Sequence, residues 1–409
     1  MKPRVLLAHS LRWSNVARLS MSFRAAGFDV GVIARKLHPV HAMRSPNRSF
    51  FYRSASPRAS LKAAIDSWRP QLIVPCDDRI VAHLHALHTE DVARGSADGA
   101  FSMSKLIETS LGAPDSYNLL RSRHLLGALA GLPDVHVVRT DPIATLGQLR
   151  NWVQLNGAPA VLKLDGSWGG RDVVLIRDPG ETNSAFLKMQ LHRSRARVLK
   201  NAMTDMDIEP LLESIRGRAP VISVQEFIPG RSANCAIACW RGEVVASMAV
   251  EVVHGNTRFG MATVVQPVAG EGMIAAARSI ARRLDLSGMH GFDFVIDANT
   301  QQARLIEINP RATQINHIAF GAGGSSAVAL RCALENKPSE ETSLAPAPKE
   351  IALFPLEWRR DPASAYLASA FHDVPYEEPE LLRFYGFEPP REAPPAHPLH
   401  EGLRATRSV

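Results

Sequence analysis

Residues 291–311 read Gly-Phe-Asp-Phe-Val-Ile-Asp-Ala-Asn-Thr-Gln-Gln-Ala-Arg-Leu-Ile-Glu-Ile-Asn-Pro-Arg. Two alternating apolar runs flank a polar turn at Asn299-Thr300-Gln301, the pattern of a β-hairpin. Symmetric pairing about Thr300 sets Val295 against Leu305 and Asp293 against Glu307. Successive strand side chains point to opposite faces. Asp293, Glu307 and Asn309 therefore share one face, and Phe292, Phe294, Ile296, Ile306 and Ile308 share the other, core-forming one. Facing side chains in such a pair have Cβ atoms about 5 Å apart, and like charges so placed repel. A hard divalent cation removes that repulsion. Mg2+ accepts two carboxylates and an amide oxygen, with phosphate and water oxygens completing the octahedron. The plainer alternative is an exposed hairpin face whose carboxylates are kept apart by solvent.

A second group of chemically capable residues lies upstream. Lys163 falls in the apolar strand pattern Ala160-Val-Leu-Lys-Leu164, the only lysine between Lys105 and Lys188. A buried ammonium needs a partner. Gly166, Ser167, Gly169 and Gly170 follow, and a glycine turn can bring backbone N–H groups onto phosphate oxygens. The GxxxxGK[ST] loop is missing, so this is a different phosphate cradle; a surface lysine at a sheet corner is the competing reading. The third element, Val224-Gln-Glu-Phe-Ile-Pro-Gly230, reads as a strand that ends at Pro229-Gly230 and re-enters as a hairpin, offering a backbone edge to a flat heterocycle.

These residues need a scaffold. Strands at 4–8, 29–33 and 72–74 alternate with helices near 14–26 and 57–69, which predicts a parallel, doubly wound sheet. GxGxxG is absent after the first strand, which excludes the dinucleotide fingerprint. Helices are expected at 115–130 and 142–156. From 159 the pattern turns to antiparallel hairpins: 159–165 with 172–177, then 221–228 with 233–240 and 243–253. A polar helical stretch covers 181–217, and a helix near 271–284 precedes the hairpin of 291–297 and 303–309. Beyond 338 the chain is rich in Pro, Glu and Arg, holds one apolar patch at Ile351–Trp358, and reads as an extended arm.

The order lysine strand with glycine loop, hinge strand with Pro-Gly, then Asp…Glu-x-Asn resembles the ATP-grasp superfamily, in the manner of its carboxylate–amine ligases, over roughly residues 1–330. The resemblance implies an N-terminal doubly wound α/β domain (1–110), a two-part ATP-grasp fold with its glycine flap in 111–228 and its metal site in 229–340, and a C-terminal arm (341–409). It implies that Lys163 contacts the α/β-phosphates, that Gly166, Ser167, Gly169 and Gly170 form a flap, and that Glu226, Phe227 and Ile228 hold the adenine. Asp293, Glu307 and Asn309 would hold one or two Mg2+, with Mn2+ able to substitute, and Arg311 would face the acyl phosphate or substrate. Many members carry an acid after the hinge for the ribose; here Ser232 or Asn234 must serve. Arg121 or Arg123 is available as a second phosphate cation, though a solvated position explains both.

The implied activity joins a small carboxylate, activated by Mg-ATP as an acyl phosphate, to an amine, with release of ADP and phosphate. Bicarbonate activation and non-catalytic nucleotide binding are the alternatives. Glu251, His254 and Arg258 lie near the grasp and are candidate substrate contacts, His254 being as well explained as structural or solvated. Asp77 and Asp78 end the third strand, where open α/β sheets place ligands; helix capping explains them equally well.

Composition narrows the field. Hydrophobic residues make up 45% of the 409, ample for a buried core, and no run of about eighteen apolar residues exists to span a membrane. The apolar run at the start is too short for a secretory signal. Cys76, Cys235, Cys239 and Cys332 lack CxxC spacing and read as buried apolar residues of a cytoplasmic protein. The net charge of +7 comes from scattered arginines. The one basic cluster, 192–197, lacks interleaved aromatics, so no nucleic-acid partner is expected. A homodimer through the N-terminal domain is expected from the resemblance alone.

Overall fold

The computed structural model describes residues 2–95, 101–165, 172–192, 194, 209, 220–320, 324–338 and 345–388. The first sheet is built from β1 (Arg4–Ala8), β2 (Asp29–Ala34), β3 (Arg48–Phe51) and β4 (Leu72–Pro75), all parallel in the order β3-β2-β1-β4. Strand β1 is apolar on both faces because both are covered. Val5 and Leu7 join one core with helix α1 (Asn15–Ala25), and Leu6 and Ala8 join another with α2 (Pro57–Trp68), α3 (Asp78–Arg94) and α4 (Met103–Leu111).

After a short helix α5 (Tyr117–Arg121), a 3-10 helix (Arg123–Leu129) leads into β5 (His136–Val137) and β6 (Thr140–Ile143), then α6 (Leu146–Asn156). The single helix expected at 115–130 is thus broken. Ser122 is extended (φ −120°, ψ 108°) between the two pieces, and that break turns Arg123 inward. The start of the second expected helix, at 142, is strand instead, and Thr145 opens α6 with a capping box to Gln148.

Strands β7 (Ala160–Leu164), β8 (Val173–Ile176) and β9 (Ile222–Glu226) join β6 in an antiparallel sheet of order β6-β9-β7-β8, covered by α6 and α7 (Thr182–His192). The predicted hairpin of β7 and β8 is present. The predicted pairing of 221–228 with 233–240 is not: β9 pairs with β6 and β7, and the chain crosses at 227–229 to a different sheet. Most of the polar stretch after His192, with the remainder of the basic cluster apart from Ser194, lies outside the described residues.

The third sheet adds β10 (Gly230–Trp240), β11 (Glu243–Gly255), β12 (Ala262–Pro267), β13 (Gly288–Asp297), β14 (Ala303–Asn309), β15 (Ile351–Leu353) and β16 (Phe371–Asp373). Its order is β16-β15-β12-β11-β10-β13-β14-β5. Helix α8 (Glu271–Leu284) covers one face, packing Ala276, Ala277 and Ile280 on Cys235, Phe292 and Phe294. All four cysteines are buried thiols. Helix α9 (Ser326–Leu334) packs from this part of the chain against α1. The expected arm also folds over its described residues, 345–388. Ile351–Leu353 adds a strand to β12, β16 runs parallel to β15, and Phe354, Val374 and Leu382 form a small core. A short apolar run is enough to extend an open sheet edge, so the Pro-rich flanks did not decide its state.

The end of α4, which covers the first sheet, meets the start of β13 and the turn before it backbone to backbone. Gly288 opens β13 at φ +84°, and a Cβ there would lie 2.1 Å from the Ser110 carbonyl oxygen. Gly112, at φ +93°, would place a Cβ 2.3 Å from the Asp285 carbonyl oxygen. Only glycine combines that dihedral with that approach. Among the described residues no helix is long and apolar enough to cross a membrane.

His290 on β13 is buried, with a ring nitrogen on the Ser287 carbonyl at 2.9 Å, and burial pulls its pKa down to about 4. The unfolded chain gains this proton near pH 6.5 and the folded chain near 4. Stability is therefore intact above 6.5 and falls as the pH drops toward 4, by up to about 3 kcal/mol from this group. The melting temperature should hold between pH 8 and 7 and fall below 6.5. A His290→Gln protein should fall less over the same interval; equal falls would remove His290 from this account.

Candidate active site

Strand pairing brings Asp293 and Glu307 directly opposite each other, as the hairpin pattern predicts. The rest of the register differs. A β-bulge at Ile306 sets Phe294 against Leu305 and Val295 against Arg304. Leu305, not Ile306, enters the core beside Phe292, Phe294 and Ile308. At the bulge the Ile306 carbonyl accepts a hydrogen bond from Gln225 Nε2 at 3.1 Å.

Around the paired carboxylates runs a chain of hydrogen bonds. Asn234, on the neighbouring strand opposite Asp293, donates to Asp293 Oδ1 at 2.6 Å. Asn309 donates to Asp293 Oδ2 at 3.1 Å and accepts from Arg311 Nη2 at 2.9 Å. Arg311 donates through Nε to Asp78 at 2.9 Å and lies over the Trp13 ring at 5.2 Å. Burial, and then the charge of Glu307, push the Asp293 carboxyl up to about 6; the two amides oppose the shift. The pair is thus short of positive charge.

The facing sheet supplies cations. Lys163 is buried and donates to Gln225 Oε1 at 2.7 Å. Burial lowers its pKa to about 8; Glu307 and Asp293 act against that shift and Arg123 adds to it. Gln225 Nε2 also donates to Thr140 Oγ1 at 2.8 Å, so one amide ties Lys163 to the bulge of the carboxylate hairpin. Arg123 is buried, not solvated. It donates to Glu307 at 2.7 Å, to the Leu164 carbonyl at 3.0 Å and to Asp165 at 3.3 Å. Asp165 and Gln225 were not among the sequence candidates. Their signal was parity: each lies two residues from, or diagonally across from, Lys163 on the non-core side of its strand.

The remaining candidates are placed as follows. Glu226 ends β9, exposed, with its N–H on the Arg139 carbonyl at 3.0 Å, and Phe227 and Ile228 are half-buried at the crossing between sheets. Ser232 is exposed on the same face as Asn234. Asn234, expected at a ribose, is engaged by Asp293. Gly166, Ser167, Gly169 and Gly170 lie outside the described residues. Asp77 is the buried N-cap of α3, accepting from Arg79 and Ile80 N–H and from Ser10, so capping accounts for it. Glu251 is not beside the carboxylates. Opposite Ala233, it faces the other side of the sheet and is held by Arg231 at 2.7 Å. His254 is exposed against Tyr366, and Arg258 is exposed 6.0 Å from the Phe227 ring.

Among the described residues no three His, Cys, Asp or Glu side chains converge as an all-protein metal cage. The donor set here is two carboxylates and a side-chain amide, all hard oxygens. That suits Mg2+, which keeps waters and takes phosphates from its substrate.

Residues 204–314 match the family described as the ATP-grasp domain. No curated protein matches the chain by sequence. Among solved structures, the ADP complex of N5-carboxyaminoimidazole synthetase from Staphylococcus aureus is similar with a TM-score of 0.57 at 13% identity, covering 83% of this chain and 79% of that one. The biotin carboxylase domain of Hydrogenobacter thermophilus 2-oxoglutarate carboxylase gives 0.59 at 11% identity (83% and 71%). Biotin carboxylase of Campylobacter jejuni gives 0.58 at 14% (86% and 74%). At such identities the likeness is one of fold. The chain carries an ATP-grasp domain and has the ATP-grasp fold.

Proposed function

We propose that the protein is an ADP-forming ligase that activates a small carboxylate with Mg-ATP and joins it to an amine. The observation that carries this reading is the Asp293–Glu307 pair with Asn309, faced across the two sheets by Lys163. In this reading Asp293, Glu307 and Asn309 hold Mg2+, which supplies charge neutralisation for the phosphates. Lys163 binds the α/β-phosphates, and Arg123 adds a second cation beside it. The edge at Glu226, Phe227 and Ile228 takes the adenine, Ser232 stands nearest for the ribose, and the segment with Gly166, Ser167, Gly169 and Gly170 covers the triphosphate.

Arg311 orients the substrate carboxylate. A carboxylate oxygen attacks the γ-phosphorus, the bond to the β-phosphate oxygen breaks, and ADP leaves. The amine lone pair then attacks the acyl carbon, phosphate departs with the C–O bonding electrons, and the amine gives up a proton. Positioned positive charge around the transferring group is the main source of acceleration. A second reading, bicarbonate as the activated acid, is favoured by one observation: a structure of similar fold is described as a complex with MgADP and bicarbonate.

The first test is phosphate release from Mg-ATP with pooled amino acids, dipeptides and other carboxylic acids plus amine acceptors. One pool should release ADP and phosphate, and Glu307→Ala should lose about two to three powers of ten, roughly 3 kcal/mol of transition-state stabilisation. Release driven by bicarbonate alone selects the second reading. No release with any acid, although nucleotide binds, would overturn both.

The lysine makes a further prediction. Its charge is present below about pH 8 and is lost as the pH rises through that value. Affinity for a non-hydrolysable Mg-ATP analogue should therefore weaken between pH 7 and 9. In Lys163→Arg the profile should be flat, since a guanidinium stays charged there. A wild-type profile as flat as the variant's would take Lys163 off the phosphates.

A further inference from the structure

Arg18 lies on the first turns of α1 and is buried, its side chain 4% exposed. One of its terminal nitrogens, Nη2, is paired with Asp373 on β16. The other two nitrogens, Nε and Nη1, are buried and find no acceptor among the described residues. Asp373 is buried too, at 2%, and its second oxygen receives His317 Nε2 at 3.0 Å. His317, 5% exposed, leaves Nδ1 without a partner among the described residues. A buried guanidinium with N–H bonds unmade is costly, since each lost partner forfeits its hydration. A stabilising ion pair alone would be expected to satisfy the fork.

The place of this cluster gives the surplus a purpose. His317 is on the loop that follows Arg311, and that loop is fixed over the first sheet by the Ala312 N–H on the Pro75 carbonyl at 2.9 Å. Asn316 holds its turn by accepting from the Thr313 N–H at 2.6 Å. Arg18 is one turn beyond the α1 entry, where Trp13 carries the Arg311 guanidinium. The two elements that meet at Arg311 therefore meet again at Arg18 and His317. They do so at the carboxyl ends of the parallel strands, where open α/β sheets receive ligands.

We propose that Arg18, with His317, is an anion subsite that anchors a second acidic group, carboxylate or phosphate, of the substrate whose carboxylate is activated at Arg311. Asp373 is its internal competitor, holding Arg18 in place until the anion arrives. The substrate class becomes a small acid with at least two anionic groups. This rests on the ligase reading for the role of Arg311, while the anion binding itself does not.

The test uses the full chain and two probes, inorganic phosphate and succinate, titrated calorimetrically and followed by thermal melts. Binding of a Mg-ATP analogue is measured separately, so that loss of the nucleotide reading and loss of the anion reading give different results. Wild-type protein should bind one of the probes, and the tighter one names the second group. Arg18→Gln should weaken it about tenfold or more. Asp373→Asn removes the competitor, so its anion affinity should rise and its melting temperature should gain more from the probe than the wild type's does. Both variants should keep nucleotide affinity. A purely structural ion pair would destabilise both variants with no anion-dependent difference between them. That result, or no probe binding to the wild type, overturns the subsite.

Discussion

Two carboxylates set opposite each other on adjoining strands repel, and the rest of the site is arranged around that repulsion. Asp293 is half-buried by its place on an inner strand of the large sheet, and Glu307 stands directly across from it. Nothing on their own sheet neutralises them: Asn234 and Asn309 supply amide dipoles, not charge. Positive charge has to come from elsewhere, and it comes from the facing sheet and the segment before it, as Lys163 and Arg123. A hard cation would complete the balance with oxygen ligands already in place. The same imbalance explains why a lysine tolerates burial at all, since the field of the acids offsets part of its lost hydration.

Side-chain bonds help fix how the two sheets face each other. Gln225 is the clearest case. Its amide oxygen holds Lys163 and its amide nitrogen reaches both Thr140 and the Ile306 carbonyl at the bulge. Arg123 does the same with charge, touching Leu164 and Asp165 on one side and Glu307 on the other. The bulge is therefore part of the site. Its Ile306 carbonyl, at the residue next to a proposed metal ligand, is the acceptor that Gln225 reaches.

What was legible in the sequence was whatever local alternation decides. The parallel sheet, the lysine strand and the Asp293–Glu307 opposition all follow from period-two patterns. Pairing across distance was not legible. The partner of 222–226 is chosen by which edges meet in space, and no local property distinguishes β7 from β10 in that role. Ile306 and Leu305 are chemically alike, so a one-residue bulge between them leaves no compositional trace. Arg123 looked solvated because 115–130 has ordinary helix formers. The extended Ser122 that aims it inward comes from tertiary contacts. Ile351–Leu353 was too short a run to distinguish from a loop until an open edge at β12 was available to receive it.

The glycine contacts at Gly112 and Gly288 have a mechanical consequence. They let the end of α4, which covers the first sheet, touch the start of β13 and the turn before it, which ties the first and third sheets into a single chassis. Among the described residues the small sheet shares no strand ladder with that chassis; chain crossings near 138–139 and 227–229, the side chains of Gln225 and Arg123, and the bonds of Glu209 to Tyr52 and His83 link the two. Compliance is therefore concentrated in one jaw, and the carboxylates stay on the stationary half. Whatever opening the site performs, the acids and Arg311 keep their distances to the first sheet, and the lysine is the member that travels.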